Sequence, residues 1–375
     1  MSAVALRDLP ISRVLYDEVF HPTVPHAVQH PPRLRDQHST GQCWLHAGVG
    51  LLETVSEGLT TRYPDVVHLY KRSLIRMVEW VHERLGDHGL DERTRHILLE
   101  KGIDDGATWG TFSWIASTYG VKTLPRPRRD WPYSAQNSHD LLSILRSQMR
   151  CGASVEHMTR TIEQCLPDAN GPDVRIQTIN LSSYFQIMNA PHHPLNEYYA
   201  TYFDISGTDR AYNVSMDDLL SACKTMLESK RAVWATFCIN HELDWQRLQA
   251  GRARRTDILP PIPERDRKTR ILQRDLRPDH AMLIVGYEKG IWRIHNSWGR
   301  PKKHAYTQAS IVGGDDGDDE RTDIHATNEW MRVHLFHAVV HEDVVIRPAL
   351  NAVNKLSSWD ALSTVARRSS HAAST

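Results

Sequence analysis

The chain has 375 residues, 40% hydrophobic and 24% charged, which suffices for one large domain or two ordinary ones and excludes disorder or a membrane-embedded class. Lysine plus arginine equals aspartate plus glutamate, 45 against 45, so no global charge selects nucleic acid or anionic lipid as the main partner. The 22 histidines are unusual and leave metal sites, pH sensitivity or a biased genome open. Five cysteines (Cys43, Cys151, Cys165, Cys223, Cys238) are sparse, odd in number and lack a CxxC pair, which predicts thiols rather than disulfides in a reducing compartment.

Along the chain, "MSAVALRDLPISRVLYDEVF" lacks an apolar h-region, so no signal peptide is expected. The runs "AVWATFCI" and "AMLIVGY" fall far short of the roughly 20 residues of a membrane span. A cytoplasmic protein without membrane contact is therefore expected. Residues 1–36 carry Pro10, Pro22, Pro25, Pro31 and Pro32 and read as a surface arm. A helix is predicted from Cys43, with Trp44, Gly48, Leu51, Val55 and Leu59 on one stripe and Gly48 and Gly50 admitting a close neighbour. Helices follow around 66–85 and 91–101, then a turn and a helix ending at Gly120, which "PRPRRDWP" breaks. Residues 138–151 and 215–230 read as helices with mixed extended segments between them, and 231–239 as a buried strand. The charged stretch 246–279 reads as a surface excursion. Strands are predicted at 280–288 and 291–299 around an "EKG" turn, with a third at 330–341 after an acidic loop.

That hairpin brings two chemically complementary residues together. A turn centred on Lys289 sets Asn296 opposite Met282, and His280 lies one diagonal step away on the same face, roughly 7–8 Å between backbones. An amide there can accept the imidazole Nδ1–H, fix the tautomer and leave Nε2 for a partner. Cys43, after a small-residue turn and at the predicted start of a helix, has one of the features that lower a thiol pKa from about 8.5 to as little as ~3.5. His280 can supply the other, an imidazolium. Gln37 could share an oxyanion hole with the Cys43 N–H, and Trp298 could shield the His280–Asn296 bond from water.

"DQHSTGQCWLHA", "DHAMLIVGYE" and "WRIHNSWG" resemble the three signature blocks of papain-like cysteine peptidases, in the order Cys, His, Asn. The likeness is closest to the bleomycin hydrolase / aminopeptidase C branch, whose DGG-W helix "DDGATWGTFSWIASTYGVKTLPRP" is similar to, and it covers most of residues 30–345. The resemblance implies an α+β, two-lobed papain-like fold, a helical lobe plus an antiparallel β-barrel lobe, with a helical insertion and a C-terminal tail. The implied layout is an arm at 1–36, a helical lobe at 37–125, an insertion at 126–230, a barrel lobe at 231–345 and a tail at 346–375.

It also implies Cys43 as nucleophile, His280 as base, Asn296 as orienter and Gln37 at the oxyanion, with Asp105, Gly106 and Trp298 at the substrate. No metal and no cofactor are implied, and the substrates would be short peptides cut from the N-terminus. A homo-hexamer is implied by the same likeness, and nucleic-acid binding would be weak. Departures exist. Of the papain-type C-G-[SA]-C-[WY] only Gly41, Cys43 and Trp44 match, His46 and Ala107 are atypical, and His280 follows Cys43 by 237 positions (280 − 43) rather than ~130–150. "SSWDALS" (357–363) is similar to the branch's cleft-blocking terminus, but residues 364–375 continue past it. Removing residues after about 362 is expected to strengthen aminopeptidase activity.

Other features read more plainly. Asp279 reads as a surface or interface charge, and the remaining cysteines as structural thiols. "HERLG" and "HELDW" lack the second histidine of HExxH, "DDGDDE" lacks the spacing of an EF-hand, and "RPRRD" and "GRARR" read as solvated faces. Two rivals remain open: an inactive papain-fold scaffold binding peptide or nucleic acid, and a papain-like acyltransferase.

Overall fold

The structure, a computed structural model, describes residues 26–28, 32–33, 35–37, 40–56, 59, 63–125, 135–166, 181–200, 205, 209–239, 264–273, 276–297 and 323–345. In chain order its elements are β1 (His26–Ala27), α1 (Cys43–Val55), β2 (Tyr63–Pro64), α2 (Val66–Leu85), α3 (Glu92–Lys101), α4 (Trp109–Tyr119) and β3 (Thr123–Leu124). Then come α5 (Ala135–Arg150), α6 (Val155–Cys165), β4 (Tyr184–Met188), β5 (Tyr198–Ala200), β6 (Arg210–Asn213), α7 (Met216–Glu228) and β7 (Val233–Phe237). The last are α8 (Glu264–Leu272), β8 (His280–Glu288), β9 (Ile291–His295), β10 (Asp323–Thr327), α9 (Asn328–His334) and β11 (Leu335–His341). The chain is a mixed α/β protein with an antiparallel-rich sheet, and it divides into two units.

One unit holds Gln37–Gln186 and Asn196–Asn213. Its central helix, α1, is buried along every side from Trp44 to Thr54, whereas the expected single stripe would have left a polar face. The helix stops at Val55, so Leu59 lies beyond it. The expected close neighbour of Gly48 is Phe112 on α4: a Cβ at position 48 would lie 2.6 Å from the ring, and Phe112 is fully buried. Replacing glycine by alanine in a helix ordinarily gains about 1 kcal/mol, but overpacking a closed core costs about 1–3 kcal/mol. Gly48→Ala is therefore expected to lose up to about 2 kcal/mol in urea unfolding. Gly48→Ala/Phe112→Leu should lose less than the two single changes together.

Capping side chains punctuate this unit. Asp65, Asp91 and Ser154 accept from the first turns of α2, α3 and α6, and Gly120 ends α4 with φ 72°. The Tyr70 and Ser138 hydroxyls meet at 3.1 Å, joining α2 to α5. Helix α6, eleven residues long, takes the place of extended chain after Cys151 within the largely helical insertion, and turns Met158 and Ile162 into the core four residues apart on one face. At the start of α4 the fully buried Asp209 takes bonds from Thr108 and Gln186, and Gly110 admits it, since a Cβ there would lie 2.5 Å from the Asp209 Cβ.

The other unit holds Ile187–Leu195 and Val214–Ile346, together with β1. Its sheet runs β10–β9–β8–β7–β11, with β1 on the free side of β8's end. Trp292, Trp330, Phe237 and Ile294 fill its interior, with Phe237 stacked on Trp330 at 5.7 Å. Two expectations are corrected here. The third strand begins only at Leu335, because Thr327 caps the N-terminus of α9 over Asn328–His334. Within the charged stretch 246–279, α8 forms and buries Arg267, whose guanidinium donates to the carbonyls of Val333, Asn189 and Leu335 and lies over the Phe336 ring. A charged side chain so saturated with acceptors can be buried, which composition cannot announce.

Candidate active site

The β8–β9 hairpin is built by its turn and corrected by a bulge. Lys289 and Gly290 have φ of 46° and 87°, the left-handed pair that a two-residue hairpin turn needs. Glu288 therefore pairs with Ile291, half a step from a turn centred on Lys289. A register shift between Ile284 and Gly286 then restores the alignment, so that Leu283 faces His295. Continuing that register sets Asn296 against Met282, with His280 diagonal to it.

His280 opens β8 opposite Phe237 of β7. Asp279 secures this corner: its N–H donates to the Phe237 carbonyl at 3.0 Å, and its Oδ1 accepts the Ile239 N–H at 2.9 Å. Asp279, expected as a surface or interface charge, is half-buried and bonded to the end of β7, because the strand end has an N–H that needs an acceptor.

The imidazole meets its amide at 2.8 Å, through Nε2 on His280 and Oδ1 on Asn296. Asn296 Oδ1 also accepts the Ser297 N–H at 2.8 Å, which fixes that atom as the oxygen. Nε2 must then carry the proton, and Nδ1 is the basic nitrogen. This reverses the expected assignment of the two ring nitrogens. The hairpin brings Nε2 to the amide, and register alone cannot distinguish one ring edge from the other. Burial lowers the His280 pKa to about 4 against the opposing pull of the Asn296 bond, so the ring is a neutral base near pH 7.

In the other unit, Cys43 is the first residue of α1, with Gln42 at the N-cap, and no acidic residue occupies the first turn. The positive end of the helix dipole therefore faces a group that can become an anion. Gly41 N–H donates to Asp105 Oδ2 at 2.6 Å, and Trp44 Nε1–H donates to the Asp105 carbonyl at 2.8 Å. Gln37 is buried, and its side-chain N–H donates to the Thr40 carbonyl at 2.7 Å while the Thr40 hydroxyl donates back to Gln37 O at 2.6 Å. This exchange ties Gln37 into the turn that precedes the cysteine.

Gly106 is exposed, and a Cβ there would meet no described residue within 4 Å. Asp105, by contrast, spends both its carboxylate and its carbonyl on the chain's own turn. Sequence reasoning missed this contact; the aspartate stood in a motif, but nothing marked Gly41 as its partner. Trp298 and the "SSWDALS" segment lie outside the described residues. Among the described residues no group of three or more histidine, cysteine, aspartate or glutamate side chains could hold a metal ion. The four other cysteines divide into exposed Cys151 and Cys165 and buried Cys223 and Cys238. Burial pushes the Cys223 thiol up to about 12, which makes it inert.

No protein-family model matches the chain. It is 21% identical, over 439 aligned positions, to aminopeptidase C of Listeria innocua serovar 6a, with 96% of this chain and 92% of that protein covered. It is also 21% identical to aminopeptidase C of Lactococcus lactis subsp. lactis, covering 88% of this chain and 86% of that protein. Among solved structures, PepW from Lactobacillus rhamnosis superposes with a TM-score of 0.63 at 16% identity, over 86% of this chain and 83% of that one, a likeness of fold. Over most of its length the chain is thus similar to proteins named aminopeptidase C, and its fold is like that of PepW.

Proposed function

We propose that the chain is a cysteine peptidase of two-lobed papain-like architecture that removes residues from the N-terminus of short peptides. The observation that carries this reading is the oriented base: a buried, neutral His280 with Nε2–H on Asn296 and a basic Nδ1. Its complement is a cysteine at the first position of a helix whose first turn carries no acid.

In the proposed reaction Cys43 Sγ gives its proton to His280 Nδ1 and attacks the peptide carbonyl carbon. The oxyanion accepts from the Cys43 N–H and from the Gln37 amide, which carries two N–H donors. Losing one such donor typically lowers the rate about 10²–10³-fold. The imidazolium then protonates the leaving amine as the C–N bond breaks and a thioester remains. Water, deprotonated at Nδ1, cleaves the thioester and regenerates the thiol. Asn296 holds the ring in one orientation through both steps, because its oxygen accepts from Nε2–H in the neutral and the charged ring alike.

Gly106 and Trp298 are proposed to meet the substrate backbone. Cytoplasmic location and a hexameric ring rest on the resemblance; no helix among the described residues is long and apolar enough to cross a membrane. A free-amine peptide and its N-acetylated counterpart, incubated with the protein and an epoxide inhibitor control, test the reading. Stepwise loss of N-terminal residues from the free-amine peptide alone, with inhibitor mass on Cys43 alone, is expected. Equal cleavage of both peptides overturns the aminopeptidase assignment. Absence of labelling points to a scaffold, and transfer to an added amine points to an acyltransferase.

A further inference from the structure

We propose that Asp105 is a positioning residue for the nucleophile: its carboxylate clamps the Gly41 N–H while its carbonyl holds the Trp44 indole, fixing the chain on both sides of Cys43. This rests on Cys43 being the attacking group. The two bonds, at 2.6 and 2.8 Å, come from one residue and grip the chain two positions before the sulfur and one after it. Gly41 is required for the approach, since a Cβ there would overlap the Asp105 carboxylate.

The clamp is itself anchored. The Asp105 N–H donates to Asp104 Oδ1 at 2.8 Å, and Arg146 of α5 donates to the Ile103 carbonyl at 2.9 Å and lies 3.7 Å from the Asp104 carboxylate. The turn needs such a hold. Gln42 is fully buried, and its side-chain amide has no hydrogen-bond partner among the described residues, a penalty of about 1–3 kcal/mol for this turn. Burial, with Asp104 adding to it, raises the Asp105 carboxyl above the usual range while the Gly41 N–H draws it down, so the clamp works in a setting where hydrogen bonds are strong. What Gly41 takes from Asp105 is an acceptor oxygen, which an amide in the same place would also carry.

The full-length Asp105→Ala, Asp105→Asn and Gly41→Ala proteins separate these roles. Measured on each are kcat and KM for a free-amine dipeptide, iodoacetamide labelling of Cys43 against pH, thermal melting, and amide exchange across residues 40–44. Asp105→Ala is expected to lower kcat about 10–100-fold with KM little changed, to slow labelling and to speed exchange. Asp105→Asn keeps an acceptor oxygen and should recover most of each loss. Gly41→Ala, which displaces the carboxylate from the other side, should resemble Asp105→Ala, and the double variant should be no worse than either.

A raised KM with kcat and labelling unchanged would overturn the clamp in favour of a substrate contact. Asp105→Asn performing as badly as Asp105→Ala would overturn it in favour of the charge. If Asp105→Ala does not melt as a folded protein, Asp105→Asn against Gly41→Ala carries the comparison. If the wild-type chain neither cleaves peptides nor labels at Cys43, the peptidase reading fails by itself; exchange at 40–44 still decides the clamp, which unchanged exchange in the variants would sink.

Discussion

Cys43→Ala is expected to lower kcat/KM for free-amine peptides by about 10⁴-fold or more, the scale on which removing a covalent nucleophile acts. The physical reason is that no neighbouring thiol can substitute. Cys223 and Cys238 are buried, the former held protonated, while Cys151 follows α5 and Cys165 ends α6. His280→Ala should produce a loss of similar size, and the double change little more than either, because base and nucleophile act as one unit. The measurement is steady-state kinetics with melting curves in parallel. Activity within about tenfold of wild type in Cys43→Ala would move the chemistry to another group altogether.

Acid should unfold the unit that holds β7, β8 and β11 well above the pH at which carboxylates titrate. Burial lowers His280, His334 and His337 to about 4. His334 donates from Nδ1 to the Cys238 carbonyl at 2.7 Å and stacks on Trp330, with Arg270 and Arg267 further disfavouring its cation. Unfolded, each ring takes a proton near pH 6.5; folded, it stays neutral. The unfolded chain therefore binds more protons, and stability present above pH 6.5 is lost as pH falls toward 4. Each ring contributes about 3 kcal/mol to that loss when the window is fully crossed, against a typical total stability of about 5–15 kcal/mol.

His192 and His341, in the same unit, shift in the same direction. Urea unfolding at steps between pH 6.5 and 5 is expected to lose about 1.4 kcal/mol per pH unit for each of His280, His334 and His337, and His334→Gln should remove one ring's share of the slope. A flat profile over that range would show that the rings are solvated in the folded state.

How legible this protein was depends on whether the information was local. The helix starting at Cys43, those at 66–85 and 91–101, the stop at Gly120 and the β8–β9 hairpin follow from periodicity, a C-terminal glycine and turn chemistry, all within a few residues. So does the pairing of His280 with Asn296, which needs only a hairpin and a period of two. Three features needed partners distant in the chain. Arg267 could enter the core only because the carbonyls of Asn189, Val333 and Leu335 converge on it. The nitrogen that His280 offers to Asn296 was decided by how strand and bulge aim the ring. Asp105 meets the N–H of Gly41, 64 positions away, a contact no local pattern announces.

By itself the sequence determined which residues could do chemistry and which short segments would present them, because capping, turn geometry and hydrophobic period act locally. Only the tertiary structure decided which edge of the imidazole is basic, which charges are buried and what holds the cysteine's turn, because those depend on burial and on hydrogen-bond partners that chain order does not reveal.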